Sequence, residues 1–228
     1  MPSRINGIAT WYYGKRNRVA RNGTCRQCRR GAILTSCDTW HCICVAFIPL
    51  IALCKLHTMD QCAACRRHFV VPWKKWQEAQ QKVDAAIEAY QAQPDDARLA
   101  QEALAGVAAL ADAQRLSTLA PLVQEHLAHG TQALLALAQV REGFGEYAEV
   151  TPLLAAAAAL SDDQRIHEAL AANLIHRGMP DEAAPYVRPI IEQRNTASAA
   201  LLYALAQAYR IRGTHERALE CFAHATDL

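Results

Sequence analysis

The second part of the chain has the hydrophobic periodicity of amphipathic helices. From residue 77 on, alanine and leucine recur at three- and four-residue spacing, and β-branched residues are few, as in helices that bury one face. Between residues 25 and 65, cysteines and short apolar runs replace this period. Ile33-Leu34 and the run from Val45 to Leu53 predict strands packed beside the cysteines at 25, 28, 62 and 65, with an edge, bulge or bend at Pro49. The pattern therefore predicts an α+β multidomain protein.

The helical part repeats itself at intervals of 33 and 35 residues, which are the spacings of Gly145, Gly178 and Gly213. Alanines allow paired helices to approach closely, and glycines permit the turn between them. Eight residues before each glycine stands a leucine and seven before it an alanine: Leu137, Leu170, Leu205, Ala138, Ala171 and Ala206. We therefore predict stacked helical hairpins.

These positions resemble the tetratricopeptide repeat (TPR) family, whose unit has 34 residues. The best match is Leu202 to Phe222. The similarity is strong only after about residue 131. The segment Ala85–Asp96 resembles the second helix of a partial repeat. The resemblance implies a solenoid that binds a protein or peptide in a groove. The candidate groove residues are polar side chains on first helices: Asn173, His176, Gln207 and Arg210. A generic helical-hairpin array with solvated polar faces is the alternative.

Charge divides the chain in the same way. Residues 1–76 contain 13 Lys or Arg and two acids, Asp38 and Asp60, whereas residues 77–228 contain 11 Lys or Arg and 20 acids. A reversal of this size indicates two surfaces of different kind. We therefore predict an N-terminal domain at 1–76 and a helical repeat domain at 77–228.

Two CxxC pairs in the basic part have the spacing of a zinc site. Cys25 and Cys28 are separated from Cys62 and Cys65 by 33 residues. Two such turns supply the four thiolates that tetrahedral zinc prefers, and a closed Cys₄ site leaves no position at which water could be activated. In a chain without a visible secretion signal, the pattern favours metal over disulfides. The sequence therefore predicts one structural Zn²⁺, with core or redox cysteines as the alternatives.

The remaining cysteines of this part are predicted to pack in the core rather than to bind metal. Cys42, Cys44 and Cys54 lie in an apolar stretch, where free cysteine behaves as a small buried hydrophobe. The role of Cys37 stays open. His41 or His57 replacing one thiolate is a minor alternative to their interpretation as partly exposed surface histidines.

This segment resembles a zinc-ribbon family of bacterial and fungal proteins and, more distantly, the LITAF-like zinc ribbons. The resemblance covers Ile8 to Trp76 and is carried by Tyr12-Tyr-Gly-Lys-Arg, Asp38-Thr-Trp-His, Phe47-Ile-Pro-Leu and the two CxxC pairs. It implies a small β-ribbon holding one Zn²⁺ on the four cysteines named above. The first loop departs from the common CPxCG pattern, because Arg26 replaces proline and Arg29 stands where glycine is frequent.

A basic stretch next to the first CxxC pair is a candidate anion-binding face, since such a field attracts phosphates. Sixteen residues contain seven cations and no acid: Lys15, Arg16, Arg18, Arg21, Arg26, Arg29 and Arg30. A solvated basic surface, or one that docks on an acidic helical surface, is the alternative.

The leading hypothesis is a cytoplasmic, non-catalytic adaptor that couples the zinc ribbon to a protein-binding repeat array. No GxSxG, P-loop, GxGxxG or HExxH motif is present, so we expect neither an enzyme nor a small-molecule substrate. The first alternative is a nucleic-acid-associated protein that uses the basic face. The second is a peripheral membrane adaptor that uses this face and the Val45–Leu53 run, which is too short to span a bilayer.

Overall fold

The computed structural model describes residues 4–5, 8–46, 48–192 and 199–226. Phe47, part of the zinc-ribbon resemblance, lies outside them. Five strands precede nine helices along the described ranges: β1 (Arg4–Ile5), β2 (Ile8–Thr24), β3 (Gly31–Val45), β4 (Ile48–Cys62), β5 (Phe69–Pro72), α1 (Trp73–Ala92), α2 (Ala97–Leu110), α3 (Ala113–His126), α4 (Thr131–Gly143), α5 (Tyr147–Leu160), α6 (Gln164–His176), α7 (Pro180–Glu192), α8 (Ala199–Ile211) and α9 (His215–Thr226).

The strands form one antiparallel sheet in the order β1-β2-β3-β4-β5. The pairing of β2 with β3 runs from Ile8 opposite Val45 to Thr24 opposite Gly31. The strands β3 and β4 pair from Val45 opposite Ile48 to Leu34 opposite Cys62. Because β2 and β4 both run towards the same end of the sheet, the two CxxC pairs lie at that end. The first pair begins directly after β2, and the second begins at the last residue of β4.

The apolar run lies at the opposite end, so the prediction that it packs beside the cysteines is wrong. The strand β3 leads away from the first CxxC loop and β4 leads back, which puts the turn between Val45 and Ile48 far from both loops. Ile48, Leu50 and Ile51 are exposed there. The irregularity predicted at Pro49 is confirmed, because the register shifts between Ile43 and Cys44, which stands opposite Pro49.

The chain divides into two compact units. One contains residues 1–119 and 143–145, and the other contains 120–142 and 146–228. In the first, α1 begins at Trp73, directly after β5, and not at Ala85 as the partial repeat predicted. The helices α1 and α2 pack closely, since a Cβ at Gly106 would lie 2.8 Å from Val83 Cγ2. The division into domains at residues 1–76 and 77–228 remains a prediction.

The helices from α4 onwards form the predicted hairpins. The three spaced glycines stand in the turns of α4–α5, α6–α7 and α8–α9, with φ of +78°, +74° and +84° at Gly145, Gly178 and Gly213. These values lie in the left-handed region that glycine adopts without strain. The aligned leucines and alanines are all buried: Leu137, Leu170, Leu205, Ala138, Ala171 and Ala206. Among the described helices, none is both long and apolar enough to cross a membrane.

Candidate metal centre

The two CxxC loops have the same backbone conformation. In the first, the Cys25 N–H donates to the carbonyl of Arg30 at 3.0 Å, and the Arg29 N–H donates to the carbonyl of Cys25 at 2.8 Å. In the second, the Cys62 N–H donates to Arg67 at 3.0 Å, and the Arg66 N–H donates to Cys62 at 2.9 Å. Each loop is thus a tight turn that holds its two thiols on one side.

Arginine occupies the position at which such a turn requires left-handed backbone. Arg29 has φ of +57° and Arg66 has φ of +59°. This conformation strains a residue that carries a Cβ. The departure from glycine at Arg29 therefore leaves the turn sharp, at a local conformational cost that the rest of the loop must offset.

The four thiols converge. The sulfur atoms of Cys25, Cys28, Cys62 and Cys65 all lie within 4.8 Å of one another, and the described residues contain no other group of three or more potential ligands this close. The Cys25 and Cys65 sulfurs are 3.7 Å apart, and those of Cys28 and Cys62 are 3.9 Å apart. Ligands 2.3 Å from a tetrahedral zinc would be separated by about 3.8 Å. The sulfur cluster therefore fits one Zn²⁺.

The surroundings of Cys25 favour ionisation of its thiol, whereas those of Cys65 oppose it. Hydrogen bonds from the backbone N–H groups of Cys28 and Gln27 lower the pKa of Cys25 to about 6. For Cys65, the backbone N–H of Arg67 lowers the pKa, but burial and hydrogen bonds with the neighbouring cysteines outweigh it and raise the pKa to about 11. Without metal the Cys65 thiol therefore retains its proton, which a bound Zn²⁺ would displace.

A small apolar cluster supports these thiols. Cys25, Cys62 and Leu34 are each at most 3% exposed and pack together, with Cys28, Ala32 and Cys65 against them. Leu34 belongs to the Ile33-Leu34 segment, so that segment is a strand beside the cysteines as predicted. A few apolar contacts are a small core for a sheet end, which is where a structural metal contributes most.

The other cysteines and the two histidines lie outside this cluster. Cys37, Cys42 and Cys44 are buried, which fits core packing, but Cys54 is exposed. The prediction for Cys54 is wrong. Among the described strands, β5 pairs with β4 only at residues 56–59, which leaves β4 at the edge of the sheet at Cys54. The surface interpretation of His57 is also wrong, since this residue is 8% exposed. His41 is half-buried beside Tyr12.

Sequence reasoning missed two pairs of buried titratable side chains on the sheet. His57 Nδ1 lies 2.8 Å from Asp38 Oδ1, and Arg21 Nη2 lies 2.8 Å from Asp60 Oδ1. Burial would raise the pKa of Asp38, but hydrogen bonds from His57 and Asn17 hold it below its ordinary value. One feature of the sequence could have indicated these buried pairs: residues 1–76 contain only two acids, Asp38 and Asp60.

The cations of the predicted basic face differ in exposure and in their partners. Arg21 is 13% exposed and is bound to Asp60, so it belongs to the interior, contrary to the prediction of an anion-binding side chain. Lys15 donates to Gln61, and Arg26 donates to the carbonyl of Ala108. All the predicted cations except Arg21 are exposed, and the second loop adds two exposed arginines that the sequence reasoning did not include, Arg66 and Arg67.

The predicted groove residues differ in exposure and in hydrogen bonding. Asn173 is 5% exposed; its Oδ1 accepts from Thr151 at 2.6 Å, and its Nδ2 donates to the carbonyl of Tyr147 at 3.3 Å. It therefore joins α6 to α5 rather than lying open on a helix face. His176 and Arg210 are exposed and Gln207 is half-buried. Their role in binding a partner stays a prediction.

Solved structures of known proteins are similar to the helical part of this chain. No protein-family model matches this chain, and no curated protein sequence matches it. A crystal structure of MamA matches with a TM-score of 0.50 and 14% identity, covering 68% of this chain and 84% of that chain. A MamA AMB-1 structure matches with a TM-score of 0.50 and 22% identity, over the same shares. The helical part is TPR-like.

A structure of YrrB, described as a TPR protein with an unusual peptide-binding site, has a TM-score of 0.49 and 19% identity. It covers 68% of this chain and 79% of that chain. At such identities the likeness concerns the fold of the repeats alone. It leaves the zinc-ribbon resemblance untested.

Proposed function

We propose that the chain is a non-catalytic adaptor in the cytoplasm. Its TPR-like repeats bind an extended segment of a partner protein, and one structural Zn²⁺ on Cys25, Cys28, Cys62 and Cys65 stabilises the sheet. The observation that carries the proposal is the run of three hairpins with left-handed glycines in their turns. Repeats of this kind expose the first helices of successive pairs on a common surface, which suits an extended ligand.

The groove can be tested at three residues whose change spares the core. His176, Gln207 and Arg210 lie on the first helices α6 and α8, and none of them is buried. Asn173 is left unchanged, because its loss would break the bonds between α5 and α6. A photo-crosslinking residue at position 207 of the full chain would identify the partner, and the purified pair would then be titrated.

We expect the variant His176→Ala/Gln207→Ala/Arg210→Ala to bind this partner at least about tenfold more weakly. The matched control is Arg165→Ala/Arg188→Ala, which removes two cations elsewhere on α6 and α7. Equal loss in both variants would show a general charge effect and would contradict binding in the groove.

Nucleic-acid binding is a second candidate function, favoured by the arginines around the thiols. Arg29 and Arg66 occupy matching positions in the two loops, and Arg30 and Arg67 follow them. Residues 25–31 and 62–68 contain no acid, so five arginines outweigh the −2 charge of a Zn²⁺ bound by four thiolates. Such a cluster attracts phosphate without reading sequence.

Double-stranded RNA and DNA of mixed sequence, titrated at several salt concentrations, test this candidate. Arg29→Gln/Arg66→Gln should reduce the salt slope by about 0.9 for each phosphate of a B-form duplex that the variant no longer neutralises. Lys74→Gln/Lys75→Gln on α1, which removes two exposed cations outside the predicted face, is the matched control. Binding only to phosphatidylserine vesicles would favour the membrane alternative, and no binding to any of them would leave the arginines as a solvated surface.

A further inference from the structure

A buried carboxylate and imidazole lie opposite each other on β3 and β4, away from the cysteines. Asp38 and His57 are register partners with side chains 6% and 10% exposed. The second carboxylate oxygen, Oδ2, accepts from Asn17 Nδ2 at 2.8 Å and lies 3.5 Å from Lys55 Nζ. Both oxygens of Asp38 are therefore used: Oδ2 is held by Asn17 and Lys55, and Oδ1 holds the imidazole from one side.

The same contacts decide which nitrogen of His57 remains available. Because the Asp38 carboxylate accepts, Nδ1 carries the proton, and Nε2 of the neutral ring is a hydrogen-bond acceptor. Trp76 stacks on the ring at 3.9 Å with an interplanar angle of 5°, which restricts its rotation. Within the described part of the chain, no hydrogen bond to Nε2 is formed. The molecule thus holds an oriented acceptor without a protein donor.

This imidazole lines a cavity of about 280 Å³. The cavity belongs entirely to the first compact unit, since all its lining residues have numbers between 17 and 114. Besides His57, its walls include two indoles and several neutral polar groups: Trp73, Trp76, Ser36, Gln80 and Gln114. A volume of this size holds a molecule of one or two fused rings, below the range of larger ligands.

The charges at the cavity wall are already paired. Arg21 is bound to Asp60, Asp38 to His57 and Lys55, and Asp112 to Arg115. A charged ligand would lose its hydration here without gaining an unpaired counter-ion. An uncharged planar molecule loses little hydration, and it can pack against indoles while its polar edge meets amides and the imidazole.

We propose that this cavity binds an uncharged, flat heteroaromatic molecule of one or two rings, whose N–H donates a hydrogen bond to His57 Nε2. The amides of Gln80 and Gln114 would meet other polar atoms of the ring edge. This site is independent of the zinc and of the repeat groove.

Nuclear magnetic resonance on the full chain tests the site with three probes: indole, adenine and uracil. We expect at least one of them to bind saturably at or below the order of 10 mM, shifting the imidazole signals of His57 and the indole N–H signals of Trp73 and Trp76. Ala113→Phe should weaken this binding at least about tenfold, because Ala113 lines the cavity and a phenyl ring would fill it while leaving Asp38 and His57 intact.

Two further variants separate the parts of the proposal. His57→Phe retains a ring against Trp76 but removes the acceptor, and it should weaken binding by about tenfold, the value of one hydrogen bond. His41→Gln changes a histidine of the same sheet outside the cavity, so it should bind like the wild type. If His57→Phe fails to fold, the binding of the probes to Ala113→Phe alone tests the proposal.

Three results would overturn the proposal. Saturable binding of none of the probes would show that the cavity takes no such ligand. Binding unchanged in Ala113→Phe would place the probes elsewhere. Binding lost in Ala113→Phe but retained in folded His57→Phe would remove the imidazole from the site.

Discussion

The repeats and the sheet are held together by different chemistry. The repeats bury leucine and alanine from neighbouring helices, with Asn173 as a bonded polar exception. The sheet buries cysteines together with the titratable side chains of Asp38, His57 and Asp60, and it leaves Leu50 and Ile51 exposed. A periodic apolar core forms from local pattern alone, whereas buried charges and thiols stabilise only when distant partners meet. The sheet should therefore be the more sensitive of the two regions to metal and pH.

Removal of zinc should produce the largest difference between the regions. With zinc bound, the loops of Cys25 and Cys62 close one end of the sheet, and structural zinc in small domains contributes on the order of 10 kcal/mol. A chelator should therefore unfold the sheet while most of the helical circular dichroism persists. The comparison of near-ultraviolet and far-ultraviolet melts measures this. Coincident melts that do not respond to the chelator would contradict the distinction.

Leu170→Ala should produce the converse effect. Leu170 is 1% exposed in α6, and truncation of such a side chain costs about 3 kcal/mol through lost burial and a cavity. Denaturant unfolding followed at 222 nm measures the loss, which chelator should not alter. Leu219→Ala, at a residue 69% exposed in α9, is the control and should change stability by less than about 0.5 kcal/mol.

Asp38→Asn should destabilise the sheet in a pH-dependent way. Hydrogen bonds from His57 and Asn17 hold the pKa of Asp38 below 3.8, outweighing its burial. Its contribution, about 2 kcal/mol for charge-assisted bonds, is therefore fully present above pH 3.8 and is lost as the pH falls through the folded-state pKa.

Melting temperatures of the wild type and Asp38→Asn, measured from pH 7 to pH 3, test this dependence. The difference between the two curves should be largest above pH 3.8 and should shrink as the pH falls further, because the carboxylate becomes protonated. Asp163→Asn is the control: Asn caps α6 as well as Asp does, so its difference should stay small throughout. A difference between wild type and Asp38→Asn that does not depend on pH would rule out the carboxylate as its source.

Gly178→Ala should have the smallest effect, about 1 kcal/mol. Its φ is +74° and nothing lies within 4 Å of an added Cβ, so the cost comes from the backbone alone. Gly143→Ala also adds a Cβ in open space, at a glycine in α4 without a left-handed backbone, and should be neutral or slightly stabilising. Equal effects in thermal melts would mean that the turn conformation carries no cost.

The sequence predicted the features that depend on local spacing. The glycine interval of 33 and 35 residues located the hairpin turns, and the two CxxC pairs identified the thiols that converge. Features that depend on strand register were missed. The direction of β3 and β4 decides that Ile48 is exposed at the far end, that His57 meets Asp38, and that Arg21 turns inward to Asp60. No local pattern contains the pairing of residues 19 or 39 positions apart.

The measurement that tests the central claim most directly is the zinc content of the purified full chain. Elemental analysis and native mass spectrometry should find about one zinc per chain, and Cys25→Ser should lose it. The matched control is Cys54→Ser, which changes an exposed cysteine outside the cluster and should retain the metal. A folded wild-type protein without zinc, or full zinc content in Cys25→Ser, would contradict the account.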